Sequence, residues 1–305
     1  MPSEQTRVWT VRELMKSAID HLQRKGFEEA RLNVELLLSH VLNLQRIQLY
    51  LSFDKPLTAE ELKRFRQAYE RRLKREPVQY IIGSANFMGL QFCVDPHVLI
   101  PRPETETLIE QLILLCQRYP GDQPIGLLDI GTGSGNIAVS AAKYIKQVHV
   151  TSIDISVEAL NLARQNARAH GVDARVNFIL ADIFDSSLEI FHKPHDLVVS
   201  NPPYVSLDEW EQLQTEVREF EPSLAVTDGK DGFQFYREIA SLLPAILHPG
   251  GSIALEVGYG QAEKVAQLLQ TSGMQDLHIA NDLQGIQRVV AGTRPGISRT
   301  AIHLN

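Results

Sequence analysis

The chain has 305 residues, 44% hydrophobic and 22% charged, a balance that supports two cores and excludes a disordered or collagen-like protein. It has no run of eighteen apolar residues and no early apolar segment of signal type, so we expect a cytoplasmic protein without a membrane span. Two cysteines outside any ligand spacing, Cys93 and Cys116, and ten scattered histidines exclude a disulfide framework and predict no metal site.

The first eighty residues read as helices. Val11, Leu14, Met15, Ala18, Ile19 and Leu22 recur at helical spacing behind a Thr10-x-x-Glu13 capping box, and Gly26 ends the segment. A second helix is expected near Glu28 to Leu44. A third opens with Thr58-x-x-Glu61 and carries Leu62, Phe65, Tyr69 and Leu73 until Pro77 stops it. The net charge of −7 is uneven along the chain. Residues 1–80 hold 15 Lys and Arg against 11 Asp and Glu, and the remainder 15 against 26. Much of the basic surplus lies in Lys63, Arg64, Arg66, Arg71, Arg72, Lys74 and Arg75. These make either a docking face for an acidic partner or a solvated helix, and the interleaved Glu60, Glu61, Glu70 and Glu76 oppose tight duplex binding. Gln79 to Val94 contains two β-like runs about Met88-Gly89 and predicts a hairpin.

Strands and helices then alternate. Gly126 to Ile130 reads as a buried strand that enters Gly131-Thr132-Gly133-Ser134-Gly135, followed by a helical pattern from Ile137 to Ile145. Glycines allow a tight turn and close backbone approach, and the helix start offers unpaired N–H groups, so the loop suits a nucleotide-like ligand. A dinucleotide fingerprint would place glycine at position 136, where Asn136 stands. The next strand, His149 to Ile153, ends at Asp154, an acid placed to accept from both hydroxyls of a ribose. Val176 to Leu180 ends at Ala181-Asp182-Ile183, where a carboxylate and a backbone N–H could read an adenine edge.

The fourth strand, Asp196 to Ser200, runs into Asn201-Pro202-Pro203-Tyr204. By itself that tetrapeptide also reads as a turn. Two prolines offer no N–H to a ladder, so their carbonyls stay free, and with the Asn201 oxygen they form a compact acceptor set beside the Tyr204 ring. The set suits a planar NH2 group. An amide nitrogen has its lone pair delocalised, and acceptors aimed at both hydrogens assist its pyramidalisation without a general base.

In the C-terminal part a helix follows Asp208 and another spans Phe233 to Leu247. Pro249-Gly250-Gly251 turns into a strand Ser252 to Val257, and a helix runs from Gln261 to Leu269. Two last strands, near Gln275 to Ala280 and Gln287 to Ala291, are joined by a loop too short for a helical crossover and must be antiparallel.

These motifs resemble those of the class I adenosylmethionine-dependent methyltransferases, and within them the release factor glutamine methyltransferases. The resemblance is carried by Arg75 to Ile81 with Gly83 and Phe87, by Val98 to Glu106 with its Pro101-Arg102-Pro103-Glu104-Thr105-Glu106, by Asp129 to Gly135, and by Asn201 to Tyr204. Asp228-Gly229, Gly232 to Arg237, Glu256-Val257-Gly258, Gly260-Gln261 and Asp282 to Val289 continue it. It implies an α/β fold: a doubly wound seven-stranded, mostly parallel sheet with an N-terminal helical bundle joined by a β-hairpin. The expected division is residues 1–76 helical, 77–98 hairpin linker and 99–305 catalytic. It also implies S-adenosyl-L-methionine as cofactor and the glutamine of the Gly-Gly-Gln tripeptide in class I peptide chain release factors as substrate. Gly131, Thr132, Gly133, Ser134, Gly135, Asp154, Asp182, Ile183 and Asn201 would bind cofactor. Asn201, Pro202, Pro203 and Tyr204 would bind substrate and promote transfer. Arg102 and Glu106 would line the cofactor cavity unless the acids there cap a helix. The alternatives are a ribosomal-protein glutamine methyltransferase, a DNA adenine-N6 methyltransferase, which the acidic C-terminal part disfavours, and a non-catalytic binding subunit, which has no need of the acceptor set.

Overall fold

The Thr10 hydroxyl accepts from the Glu13 N–H while the Glu13 carboxylate accepts from the Thr10 N–H at 3.0 Å, and this reciprocal cap opens α1, Val11–Arg24. It is the first element of a computed structural model that describes residues 8–119, 121 and 123–296. The described residues fall into two units. One takes the chain up to Gly83 together with Thr215–Phe220, and the other takes Ser84–Gln214 and everything described from Glu221 onward.

In the helical unit α2 spans Ala30–Leu42, α3 Arg46–Leu51, α4 Ala59–Leu73 and α5 Val78–Ile82. The helix expected as far as Leu44 stops earlier because Asn43 adopts left-handed backbone at φ 53°, and α3, not evident from the pattern, follows it. The apolar stripes of α1 and α4 close a core around Val11, Leu22, Val34, Leu37, Leu38, Leu49 and Phe65. The first β-like run expected after Gln79 is helical instead. Pro77 precedes α5, Val78 and Ile81 insert into the helical core, and Gly83 at φ 72° ends the turn. The hairpin is therefore shorter than expected, β1 Ser84–Phe87 and β2 Leu90–Cys93 about Met88-Gly89, both at positive φ.

The second unit continues with α6 Glu106–Cys116, β3 Ile125–Ile130, α7 Asn136–Tyr144, β4 Val148–Asp154, α8 Val157–Ala169, β5 Val176–Leu180 and β6 His195–Ser200. The short helix α9 Leu207–Trp210, then α10 Thr215–Phe220, which belongs to the helical unit, and α11 Ser223–Val226 lead to α12 Gln234–Ile246, β7 Leu247–Glu256, α13 Ala262–Thr271, β8 Gln275–Asn281 and β9 Gln287–Thr293. The sheet order is β5-β4-β3-β6-β7-β9-β8, with β9 alone running against its neighbours. This is the seven-stranded, mostly parallel sheet the sequence predicts. Alternate residues of the central strands feed two cores: Leu127 and Val199 lie with Leu108, Leu112 and Ala138, whereas Leu128 and Val198 lie with Ile239, Leu243 and Val265. β7 starts earlier than expected. Leu247 already pairs with His195, and the register then jumps to Leu197 opposite Ser252. Gly251 makes that jump possible, since a Cβ there would lie 2.7 Å from the Asp196 carbonyl.

Candidate active site

Crossovers leave β3 toward β4 on one side, while β6 lies on the other, so the carboxyl ends of β3 and β6 flank the point where the strand order reverses. The glycine loop leaves β3 there and Asn201 leaves β6. An open cleft is lined by Leu99 to Arg102, Thr105, Gly131 to Ser134, Asn136, Ile137 and Asn201. Five of the predicted site residues thus share one cleft.

The loop is held from below. Thr132 Oγ1 and Ser152 Oγ are 2.6 Å apart, and Ser152 Oγ donates to Asp129 Oδ2 at 2.6 Å. Gly133 N–H donates to Asp154 Oδ2 at 2.8 Å. A Cβ on Gly133, at φ 52°, would meet nothing within 4 Å, so the loop's upper side is open to a ligand. Gly135 differs from it: at φ 80° its missing Cβ would lie 3.0 Å from Ala163 Cβ, which makes it a packing residue between loop and α8. Burial raises the carboxyls of Asp129, to about 7, and Asp154 against the hydrogen bonds that favour their ionised forms.

Asn201 Nδ2 donates to Thr105 Oγ1 at 3.2 Å, which leaves Oδ1 as the accepting end of the amide. Pro202 is buried, and among the described residues no hydrogen bond ends on its carbonyl. Tyr204 is fixed by its surroundings. Its carbonyl accepts from Gln261 Nε2 at 2.9 Å, Gly258 is so close that a Cβ there would lie 3.0 Å from Tyr204 Cδ2, and its hydroxyl is 3.5 Å from Glu256 Oε1. Burial, and next the Glu256 carboxyl, push that hydroxyl well above its ordinary range, so it stays protonated.

The predicted adenine residues lie outside the cleft lining. Asp182 Oδ1 accepts from the Phe184 N–H at 2.9 Å, and the Ile183 side chain belongs to the core, leaving its backbone as the group available to a ligand. Glu106 takes a different place from the one expected. Its Oε1 accepts from Met88 N–H at 2.6 Å and so fastens the hairpin, whereas Arg102 does line the cleft and pairs with buried Glu221 at 2.6 Å.

The helical unit also corrects the basic patch. Arg72 is inside, with only 7% of its side chain exposed, bonded to Asn33 and to Glu216 at 2.8 Å, with its guanidinium 4.4 Å from the centre of the Phe27 ring. Arg71 pairs with Glu76. Lys63, Arg64, Arg66 and Lys74 remain exposed.

Comparison with known proteins agrees along most of the chain. Residues 13–83 match the family model described as the PrmC N-terminal domain, and residues 123–282 that of a methyltransferase domain. The release factor glutamine methyltransferase of Chlorobaculum tepidum is 44% identical over 94% of this chain and 98% of its own. That of Geobacter sulfurreducens is 44% identical over 95% and 99%. The chain belongs to the release factor glutamine methyltransferase family. Among solved structures, the catalytic domain of hMettl16 superposes with a TM-score of 0.54 at 14% identity, over 67% of this chain and 75% of that one, and shares the fold.

Sequence reasoning did not assign Thr105, Gln261, Glu221 or Glu256 to the site. Glu256 left a signal: a carboxylate closing the apolar strand Ile253-Ala254-Leu255 has to be paired or used.

Proposed function

We propose that this protein transfers the methyl group of S-adenosyl-L-methionine to the side-chain amide nitrogen of the glutamine in the Gly-Gly-Gln tripeptide of class I release factors. The observation that carries the reading is the Asn201 amide, held by Thr105 at the switch point beside the glycine loop. The cleft also fits the cofactor. Its cationic lining side chain, Arg102, is already paired with Glu221, so a pyrophosphate would find little side-chain neutralisation there.

Bound adenosylmethionine supplies an electrophilic methyl group on a positively charged sulfur. Gly131, Thr132, Gly133, Ser134 and Gly135 would form its cradle, Asp154 would accept from the ribose hydroxyls, and Asp182 with the Ile183 backbone N–H would take the adenine. Asn201 Oδ1 and the Pro202 carbonyl accept the two amide hydrogens of the glutamine, and Pro203 holds the turn that aims them. Tyr204, immobilised by Gln261 and Gly258, packs on the amide plane. Conjugation in that amide weakens as its hydrogens are drawn out of plane, and the lone pair on nitrogen becomes nucleophilic; as the nitrogen–carbon bond forms and the sulfur–carbon bond breaks to leave a neutral thioether, the amide loses one of its two hydrogens as a proton to solvent. The helical unit, with its exposed Lys63, Arg64, Arg66 and Lys74, selects the protein substrate. Among the described residues no helix is long and apolar enough to cross a membrane.

Incubation with labelled adenosylmethionine and, separately, a release factor, a large-subunit ribosomal protein and DNA tests the reading. Label is expected on the release factor glutamine. Label confined to either of the other two overturns the substrate assignment.

A further inference from the structure

Glu256 ends β7 with its side chain inside the protein, 1% exposed, and no step above uses it. Its Oε1 lies 3.5 Å from the Tyr204 hydroxyl, while Oε2 is buried with no hydrogen-bond partner among the described residues. Thr105 favours the ionised form of the carboxyl, although among the described residues no hydrogen bond joins its hydroxyl to either carboxyl oxygen. Thr105 in turn accepts from Asn201 Nδ2. An incompletely satisfied buried carboxyl costs stability, so its position between the two substrate-facing side chains points to a role there.

We propose that Glu256 is a positioning residue for methyl transfer: its carboxylate takes the single Thr105 hydroxyl proton and restrains the Tyr204 hydroxyl, so that Thr105 can only accept from Asn201 and the Asn201 oxygen faces the cleft. The proposal rests on the reading of Asn201 as the acceptor for the substrate amide. The two ends of an asparagine amide are nearly the same size, and only neighbouring donors and acceptors decide which end points where. When Glu256 is protonated, the Thr105 proton is released to bond Asn201 Oδ1. The amide then turns its NH2 toward the substrate NH2, donor against donor. The groups facing the carboxyl are Tyr204 after β6, Glu104 before α6, Arg288 on β9 and Tyr236 on α12. Burial raises Glu256 to about 7, Arg288 opposes the rise and Glu104 adds to it. Transfer therefore slows as pH falls through neutrality.

The test follows kcat for full-length enzyme on a release factor at saturating cofactor, from about pH 6 to about pH 9. Wild type is expected to show an inflection near neutrality that Glu256→Gln abolishes, with cofactor affinity by calorimetry unchanged within about twofold. Thr105→Val is expected to lower kcat about tenfold while Thr105→Ser stays within about twofold of wild type. This pair carries the test if Glu256→Gln does not fold. An inflection that survives in Glu256→Gln, or Thr105→Val turning over as fast as Thr105→Ser, overturns the proposal. Wild-type labelling of the release factor is read separately and bears on the substrate assignment alone.

Discussion

Gly133 N–H donates to Asp154 Oδ2 at 2.8 Å, so the acid that ends β4 shapes the glycine loop that leaves β3. Its other oxygen accepts from Ser156 N–H at 2.9 Å. A carboxylate fixed on both sides is a preorganised acceptor, which the proposed function assigns to the ribose, and its removal disturbs the loop as well. Asp154→Ala is expected to weaken adenosylmethionine binding by about 1.5–3 kcal/mol in calorimetry. Unchanged affinity would mean that the ribose is held elsewhere.

Asn201→Ala removes an acceptor and leaves the cradle intact. Methyl transfer to the release factor should fall about 10²-fold or more, with cofactor affinity changed only a few-fold. Turnover near wild type would sink the acceptor mechanism.

The glycine loop offers a contrast between two alanine variants. Gly135→Ala adds left-handed strain and presses on Ala163, and is expected to lower unfolding stability by about 2–4 kcal/mol. Gly133→Ala has room and should lose only about 1–2 kcal/mol, yet its methyl group enters the space offered to the cofactor. Denaturant midpoints and cofactor titration on both variants separate the effects.

Glu256 and Asp129 are raised to about 7 from ordinary values of 4.5 and 3.8. For an acid raised on folding, the stabilising contribution is complete below the unfolded-state value, is lost as pH climbs toward 7, and stays lost above it. Glu256→Gln should therefore unfold much like wild type near the acid end of the stable range. It should be more stable by roughly 3 kcal/mol above neutrality, measured as denaturant midpoints across pH. Equal stability at all pH values would show that the carboxyl titrates normally.

Arg72 and Lys74 lie two positions apart on the chain and should behave oppositely. Arg72→Ala leaves Glu216 without its buried partner and is expected to cost about 3–5 kcal/mol, whereas Lys74→Ala on the surface should stay within about 0.5 kcal/mol. Thermal or denaturant unfolding distinguishes them directly.

The sheet was legible because its strands are short apolar runs that stop at turn-forming residues, Gly131 after β3 and Asn201-Pro202-Pro203 after β6 among them. The caps at Thr10 and Thr58 were legible for the same local reason. Helices α3 and α5 were not: each is a turn or so long, and α5 is made of Val78, Ile81 and Ile82, whose β-branched side chains read as strand until the helical core around them is known. The site residues that came from motifs share their place with others that motifs could not assign. Thr105 and Glu256 are 151 positions apart in sequence, the Thr105–Asn201 bond spans 96, and nothing local joins them. Arg72 carried the wrong implication because composition counts its charge but cannot show that Glu216, 144 positions later, neutralises it inside the protein.

The chain passes from one unit to the other after Gly83, returns after Gln214 and leaves again after Phe220. The helical unit is therefore stitched from two stretches of sequence, with Glu216 as a clasp between Arg72 and Arg75. An N-terminal fragment ending near residue 83 lacks its last piece, and the remainder keeps a short acidic helix without its cations. Transplanting the helical unit onto another methyltransferase requires moving both stretches, and gene exchange at a single joint would break the clasp. Inheritance as one piece follows from the threading.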